Sequence, residues 1–88
     1  MSASTLTSQI RSVLRDHARL ARPVEGLEDD ADLYRAGMTS HASVNVMLAL
    51  EGALDVEFPD HMLKRSVFTS IASIRDALCG LGLTRTMQ

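Results

Sequence analysis

Hydrophobic and polar positions along the chain mark out three long helices and a short one. In residues 5–21, Leu6, Ile10, Val13, Leu14, His17, Leu20 and Ala21 recur at spacings of three and four, while Arg11, Arg15, Asp16 and Arg19 take the other face. Thr5, Thr7 and Ser8 are all candidate caps for this helix, and Pro23 ends it by pushing Arg22 out of the α region. His17 reads as a half-buried spacer on the stripe. Residues 40–54 predict a second helix whose stripe is Val44, Met47, Leu48 and Leu54, with Ala53 alongside. Val46 and Leu50 lie well round from that stripe. A helix apolar on more than one side is either deeply buried or offers an apolar surface to a partner. Residues 60–66 predict a short third helix, with Asp60 near its start and Lys64–Arg65 near its end, as the helix dipole prefers. Residues 70–79 predict the last helix. Thr69 or Ser70 is its N-cap, Ile71, Ile74, Ala77 and Leu78 its buried stripe, and Gly80 its C-cap. Residues 81–88 are expected to fray.

The segments between these helices differ in kind. Residues 22–39 form a long connector with Pro23, Gly26, Gly37 and the acidic run Glu28-Asp29-Asp30-Ala31-Asp32. Long connectors inside small domains are uncommon and often functional. Val24, Leu27, Leu33 and Tyr34 are positioned to pin this one to the core. Gly37 supplies a backbone geometry that a larger residue would resist. The second connector, Asp55-Val56-Glu57-Phe58-Pro59-Asp60, puts Val56 and Phe58 on one side if extended, with Pro59 suited to a turn. The predicted fold is all-α: three long helices and one short one around an aliphatic core. It is read as one domain over residues 1–88, with an ordered core from about 5 to 80.

Charge narrows the function more than composition does. Residues 41–60 hold four acids (Glu51, Asp55, Glu57, Asp60) and no Lys or Arg, and residues 61–88 hold four bases and one acid. An acidic middle repels a phosphate backbone, and Lys64, Arg65, Arg75 and Arg85 are too scattered for a nucleic-acid footprint. Neither the second helix nor the last supplies a basic recognition helix. A single cysteine, Cys79, excludes an internal disulfide and a cysteine-cluster metal site. The acidic run lacks the glycine and terminal glutamate of a calcium loop, so it reads as a solvated turn. His17, His41 and His61 show no metal-ligand spacing. No basic segment precedes an apolar one at the start, and no apolar run approaches a membrane span. A cytoplasmic monomer is expected.

The position that invites chemistry is Ser40. It stands where the acidic connector gives way to the most apolar helix. A serine there sits over backbone N–H groups and the positive end of the helix dipole, a favourable place for a phosphate. The same serine would also serve as an N-cap, in which case its oxygen is spent on the helix. If Ser40 is modified, Thr39 is left to cap. A nucleophile–base pair with His41 does not follow, because neighbours on a helix point about 100° apart.

Asp32-Leu33-Tyr34-Arg35-Ala36-Gly37-Met38-Thr39-Ser40, followed by Val44 and Leu48-Ala49-Leu50-Glu51, resembles the attachment region of acyl and peptidyl carrier proteins. Asp55-Val56-Glu57-Phe58-Pro59-Asp60 resembles that family's bridge to its third helix, and Phe68-Thr69-Ser70-Ile71 the start of its fourth. The likeness covers about Leu6 to Leu78. It implies that a phosphopantetheinyl transferase joins 4′-phosphopantetheine from coenzyme A to Ser40. The thiol of that arm then holds the cargo as a thioester, and the protein itself catalyses nothing. Two departures stand out. The family's Asp-Ser-Leu triplet is here Thr39-Ser40-His41, and the following helix carries only Glu51 where fatty-acid carriers are strongly acidic. The pattern Gly-Met-Thr-Ser-His-Ala-Ser-Val-Asn-Val-Met-Leu-Ala-Leu-Glu is most similar to stand-alone aminoacyl carrier proteins of rhizobia-like bacteria. Their partners are amino acid:carrier protein ligases resembling seryl-tRNA synthetase without its tRNA-binding arm. That resemblance implies a small amino acid, glycine or alanine, as cargo.

Met38, Thr39, His41, Ala42, Asn45, Val46 and Leu50 are expected to form the partner-docking surface around Ser40. The competing readings are an acyl carrier for fatty-acid or polyketide-type chemistry, and a helical interaction module that is never modified.

Overall fold

The computed structural model describes residues 3–81. It contains α1 (Ala3–His17), α2 (Ser40–Leu54) and α3 (Ile71–Gly80), with 3₁₀ turns at Val24–Gly26 and Asp60–Met62. No strand occurs among the described residues. Helix α1 packs against both α2 and α3. Leu6, Ile10 and Leu14 of α1 meet Val46 and Leu50 of α2 and Ile71, Ile74 and Leu78 of α3 in one core, all of them with no exposed surface. Phe58 and Phe68 close its end, edge to face with ring centroids 5.5 Å apart.

Helix α1 starts two residues before the predicted range and ends at His17 instead of Ala21. Its end has a local cause. Arg19 takes a left-handed φ of 56°. The Ala21 N–H then donates to the Ala36 carbonyl at 2.8 Å, away from the His17 carbonyl a helix would have used. Ala18 takes the last buried place on the stripe, and His17 is exposed where a half-buried spacer was expected. The short helix predicted over 60–66 shrinks to the turn Asp60–Met62. A second turn follows, in which the N–H groups of Val67 and Phe68 donate to the carbonyls of Lys64 and Arg65. Lys64 and Arg65 therefore do not cap a helix C-terminus. Helix α3 runs one residue further than predicted, so that Gly80 is its last residue and Leu81 its cap. The segment expected to fray falls, beyond Leu81, outside the described residues.

Helix α2 has the predicted bounds and the opposite orientation. Ala42, Val46 and Leu50 face the core, whereas Val44 and Leu48 are 49 % and 55 % exposed. Full burial of Leu50 contributes about 1.5–3 kcal/mol, a gain Leu48 largely forgoes.

Asp29 ties the long connector down. Arg11 donates to the carbonyls of Val24 (2.7 Å) and Leu27 (3.0 Å) and to Asp29 Oδ1 (2.7 Å). Arg75 of α3 donates to Asp29 Oδ2 at 3.0 Å. The Asp29 carbonyl accepts the Ala72 N–H at 2.8 Å, and the Thr69 carbonyl accepts the Leu33 N–H at 2.7 Å. The acidic run is thus a joint between α1 and α3 as well as a solvated turn. Hydrogen bonds from Arg75, then Arg11, hold the Asp29 carboxyl below its ordinary value of 3.8.

Candidate functional site at the start of helix α2

The chain reaches α2 through a backbone contact only glycine permits. Gly37 has φ +119°, and a Cβ there would lie 2.8 Å from the Ala21 nitrogen. Met38 is buried, and its N–H donates to the Leu33 carbonyl at 3.0 Å. Asp32 Oδ1 accepts the N–H groups of Tyr34 and Arg35 and so closes the turn before it.

Thr39 then caps the helix. Its backbone is extended (φ −85°, ψ 166°) and its Oγ1 accepts the Ala42 N–H at 3.0 Å. Its carbonyl accepts the Ser43 N–H at 2.9 Å, the first bond of the helix ladder. Ser40 is therefore the first residue inside the helix, and exposed. Its hydroxyl has no hydrogen-bond partner among the described residues. Ser43 Oγ donates to the Ser40 carbonyl at 2.7 Å. Of the N–H groups a helix start leaves over, the cap consumes that of Ala42, and those of Ser40 and His41 remain available. They sit at the positive end of the α2 dipole, which favours an anion by about 0.3–1 kcal/mol.

Ser40 opens onto a shallow cavity of about 270 Å³ lined by Tyr34, Ser40, Ser43, Val44, Met47, Leu63, Lys64, Arg65 and Phe68. Its floor is apolar and one edge is cationic. The Arg65 guanidinium lies 3.8 Å from the centroid of the Tyr34 ring. Such a contact is worth about 0.5–1 kcal/mol at an exposed site and fixes where the charge stands.

The predicted site residues divide. Thr39 and His41 flank Ser40 and are exposed; Asn45, half-exposed, lies further along α2 and does not line the cavity at Ser40. Met38, Ala42, Val46 and Leu50 are at most 2 % exposed, and the assignment of these four to a docking surface is corrected. They form one series at intervals of four that runs through the cap into the helix, and the core takes it. The residues actually beside Ser40 that sequence reasoning passed over are Tyr34, Ser43, Val44, Met47, Leu63, Lys64, Arg65 and Phe68. One signal pointed to them. Lys64 and Arg65 are the only Lys or Arg between Arg35 and Arg75.

Glu51, the one acid of α2, is turned inward. Its Oε2 accepts the Phe58 N–H at 2.9 Å, and its carbonyl accepts the Val56 N–H at 3.1 Å as Asp55 turns left-handed (φ 54°). The second connector is thereby fastened to the last turn of α2.

Three comparisons bear on this geometry. The family model described as the phosphopantetheine attachment site matches residues 4–78. An aminoacyl carrier protein of Agrobacterium fabrum is 45 % identical over 73 residues, which cover 83 % of this chain and 88 % of that one. Among solved structures, a crystal structure holds an engineered Bradyrhizobium japonicum glycine:carrier protein ligase with a carrier protein from Agrobacterium tumefaciens and AMP. It matches with a TM-score of 0.81 at 45 % identity, over 83 % of this chain and 97 % of that chain. A solution structure from Agrobacterium tumefaciens matches at TM-score 0.69 and 44 % identity, over 85 % of this chain and 90 % of that one.

Proposed function

The chain belongs to the phosphopantetheine attachment family, and we propose that Ser40 is its attachment point and a small amino acid its cargo. The protein is a carrier and not an enzyme. The observation that carries the assignment to Ser40 is its exposed hydroxyl, left without a partner because Thr39 does the capping. The phosphate of the arm would lie against the free N–H groups of Ser40 and His41 at the positive end of α2. The arm supplies a terminal thiol on which cargo is held as a thioester. Every other contribution is the protein's own: it presents the hydroxyl, offers amides to the anion, and holds α2 against α1.

An amino acid as cargo is supported by the name of the Agrobacterium relative, and glycine by the glycine:carrier protein ligase in the matched complex; alanine rests on the family resemblance. The loading partner is then an amino acid:carrier protein ligase of the kind that resembles seryl-tRNA synthetase, and a phosphopantetheinyl transferase installs the arm. Thr39, His41 and Asn45 contribute to the face these enzymes meet. The carrier acts as a single cytoplasmic domain and as a monomer. Among the described residues no helix is long and apolar enough to cross a membrane. Fatty-acid enzymes that dock through basic patches find no acidic helix here, since Glu51 is engaged by the Phe58 N–H.

The test is an intact mass after incubation with coenzyme A and a broad-specificity transferase. Wild type gains one phosphopantetheinyl group and Ser40→Ala gains none; an adduct on the variant would move the site elsewhere. The holo form, a synthetase-like ligase, ATP and single amino acids then report the cargo. Loading by fatty acyl groups alone would refute the amino acid assignment.

A further inference from the structure

The three large apolar side chains that stand exposed among the described residues are Val44 (49 %), Leu48 (55 %) and Leu63 (44 %). Val44 and Leu63 line the Ser40 cavity, and Leu48 lies one turn beyond Val44 on the same side of α2. An apolar patch beside an attachment point is a place where another surface seats. What distinguishes this patch is its rim.

Lys64 and Arg65 edge the cavity, both exposed, and no carboxylate lines it. Among the described residues neither has an acidic partner within ion-pair distance. Four other cations do: Arg11 and Arg75 share Asp29, Arg15 pairs with Glu25 at 2.8 Å, and Arg35 approaches Asp32 at 3.9 Å. Arg19 and Arg22 are also without an ion pair, but neither lines the cavity. Lys64 and Arg65 are thus the unpaired cations that stand beside the exposed apolar groups next to Ser40, where no local acid answers them. Arg65 is moreover held in place over Tyr34. An ordered, unpaired cation beside exposed apolar groups complements a protein surface with an apolar centre and carboxylates at its border.

We propose that Lys64 and Arg65, around Val44, Leu48 and Leu63, form the docking face for the loading ligase, and that the ligase meets them with carboxylates. This rests on the attachment of the arm at Ser40. It assigns the recognition charge to the segment between the Asp60–Met62 turn and α3 instead of to α2. It also gives the face a sign that repels enzymes whose own docking patches are basic. Rim charges of this kind act on encounter and on salt dependence more than on the chemical step.

The experiment compares holo forms of wild type, K64E/R65E, K64Q/R65Q and the control R19E/R22E, each verified by intact mass and by a thermal melt. The control reverses two exposed arginines outside the cavity and changes net charge as much as K64E/R65E does. The probe is the Bradyrhizobium japonicum glycine:carrier protein ligase with glycine and ATP. At about 20 mM NaCl, KM for the carrier should rise about tenfold in K64E/R65E and about threefold in K64Q/R65Q, with kcat unchanged, and the gap should narrow at about 300 mM NaCl. The control should stay within about twofold of wild type. Equal KM in all four proteins, a lower KM on reversal, or an equal rise in the control overturns the proposal alone. That includes the case in which the two cations serve only the phosphate of the arm. A wild type that takes up no phosphopantetheine overturns the Ser40 assignment instead, and the proposal with it. A wild-type holo form that the ligase fails to load overturns the amino acid assignment and the proposal together.

Discussion

Ser40 and Ser70 both stand at the start of a helix that follows a connector, and they are used in opposite ways. Ser70 is the N-cap of α3, 8 % exposed. Its Oγ accepts the Ser73 N–H at 3.0 Å, and Ser73 Oγ accepts the Ser70 N–H at 3.0 Å, a closed capping box. The Ala72 N–H is taken by the Asp29 carbonyl. The start of α3 is sealed by its own side chains and by the long connector. At α2 the cap is one residue earlier, on Thr39, so Ser40 falls inside the first turn and its hydroxyl caps nothing. A shift of one position relative to the cap separates a serine that holds a helix from a serine whose hydroxyl is left without a partner. The order Thr-Ser therefore carries more meaning at this site than the presence of serine does.

The comparison breaks most visibly in stability. Ser70→Ala should cost about 1–2 kcal/mol, the upper part of the range for a lost cap, because the site is buried and Ser73 loses its partner. Ser40→Ala should stay within about 0.5 kcal/mol of wild type. Urea unfolding of the two variants reads both. A comparable loss in Ser40→Ala would mean that its hydroxyl supports the helix after all. Thr39→Ala sharpens the same point at a smaller scale. It should cost about 1 kcal/mol, and Thr39→Ser should restore most of it, as a role for Oγ1 requires.

The sequence made α2 legible in its bounds and illegible in its orientation. Val44, Met47, Leu48 and Leu54 satisfy helical spacing, and so do Ala42, Val46 and Leu50, because the helix is apolar on both sides. Periodicity cannot rank two stripes of equal spacing. The phase is set outside the helix, by buried Met38 and the Gly37 contact with Ala21, and continuing the series 38, 42, 46, 50 through the cap identifies the core face. The proposed attachment serine was readable as a serine at a helix start, where spacing alone suits a cap; the resemblance to carrier proteins is what chose between the two roles. The cavity beside it was not, since Tyr34 and Leu63–Arg65 come from segments on either side of α2 and meet only in the fold. The end of α1 was missed for a similar reason. Ala21 gives its N–H to Ala36, a partner distant in sequence. Pro23 marked where the helix must have stopped and not where it does.

Asp29 tests the sealed end of the comparison in a different way, through pH. Its carboxylate joins Arg11 and Arg75, and its pKa is lowered chiefly by the Arg75 hydrogen bond and then by that of Arg11. In the unfolded chain the group titrates near its ordinary 3.8. Between that value and the lower folded one the unfolded state binds more protons, so stability rises with pH through this window. The contribution is present above 3.8 and is lost as pH falls through the folded value. With its side chain 44 % exposed, solvent screening keeps the contribution small. Asp29→Asn keeps the backbone carbonyl that holds Ala72, and removes the charge and one of the two oxygens that accept from Arg11 and Arg75. It should cost about 0.5–1 kcal/mol at about pH 7, and the difference from wild type should fade as pH falls below 3.8 through the lowered folded value. Glu25, also lowered by its hydrogen bond from Arg15, is present in both proteins and contributes equally to both profiles. Denaturation curves across that range decide the matter. A gap that persists undiminished in acid would mean that Asp29 seals α3 by shape and backbone alone, and that the two arginines are held by the carbonyls of the connector without it.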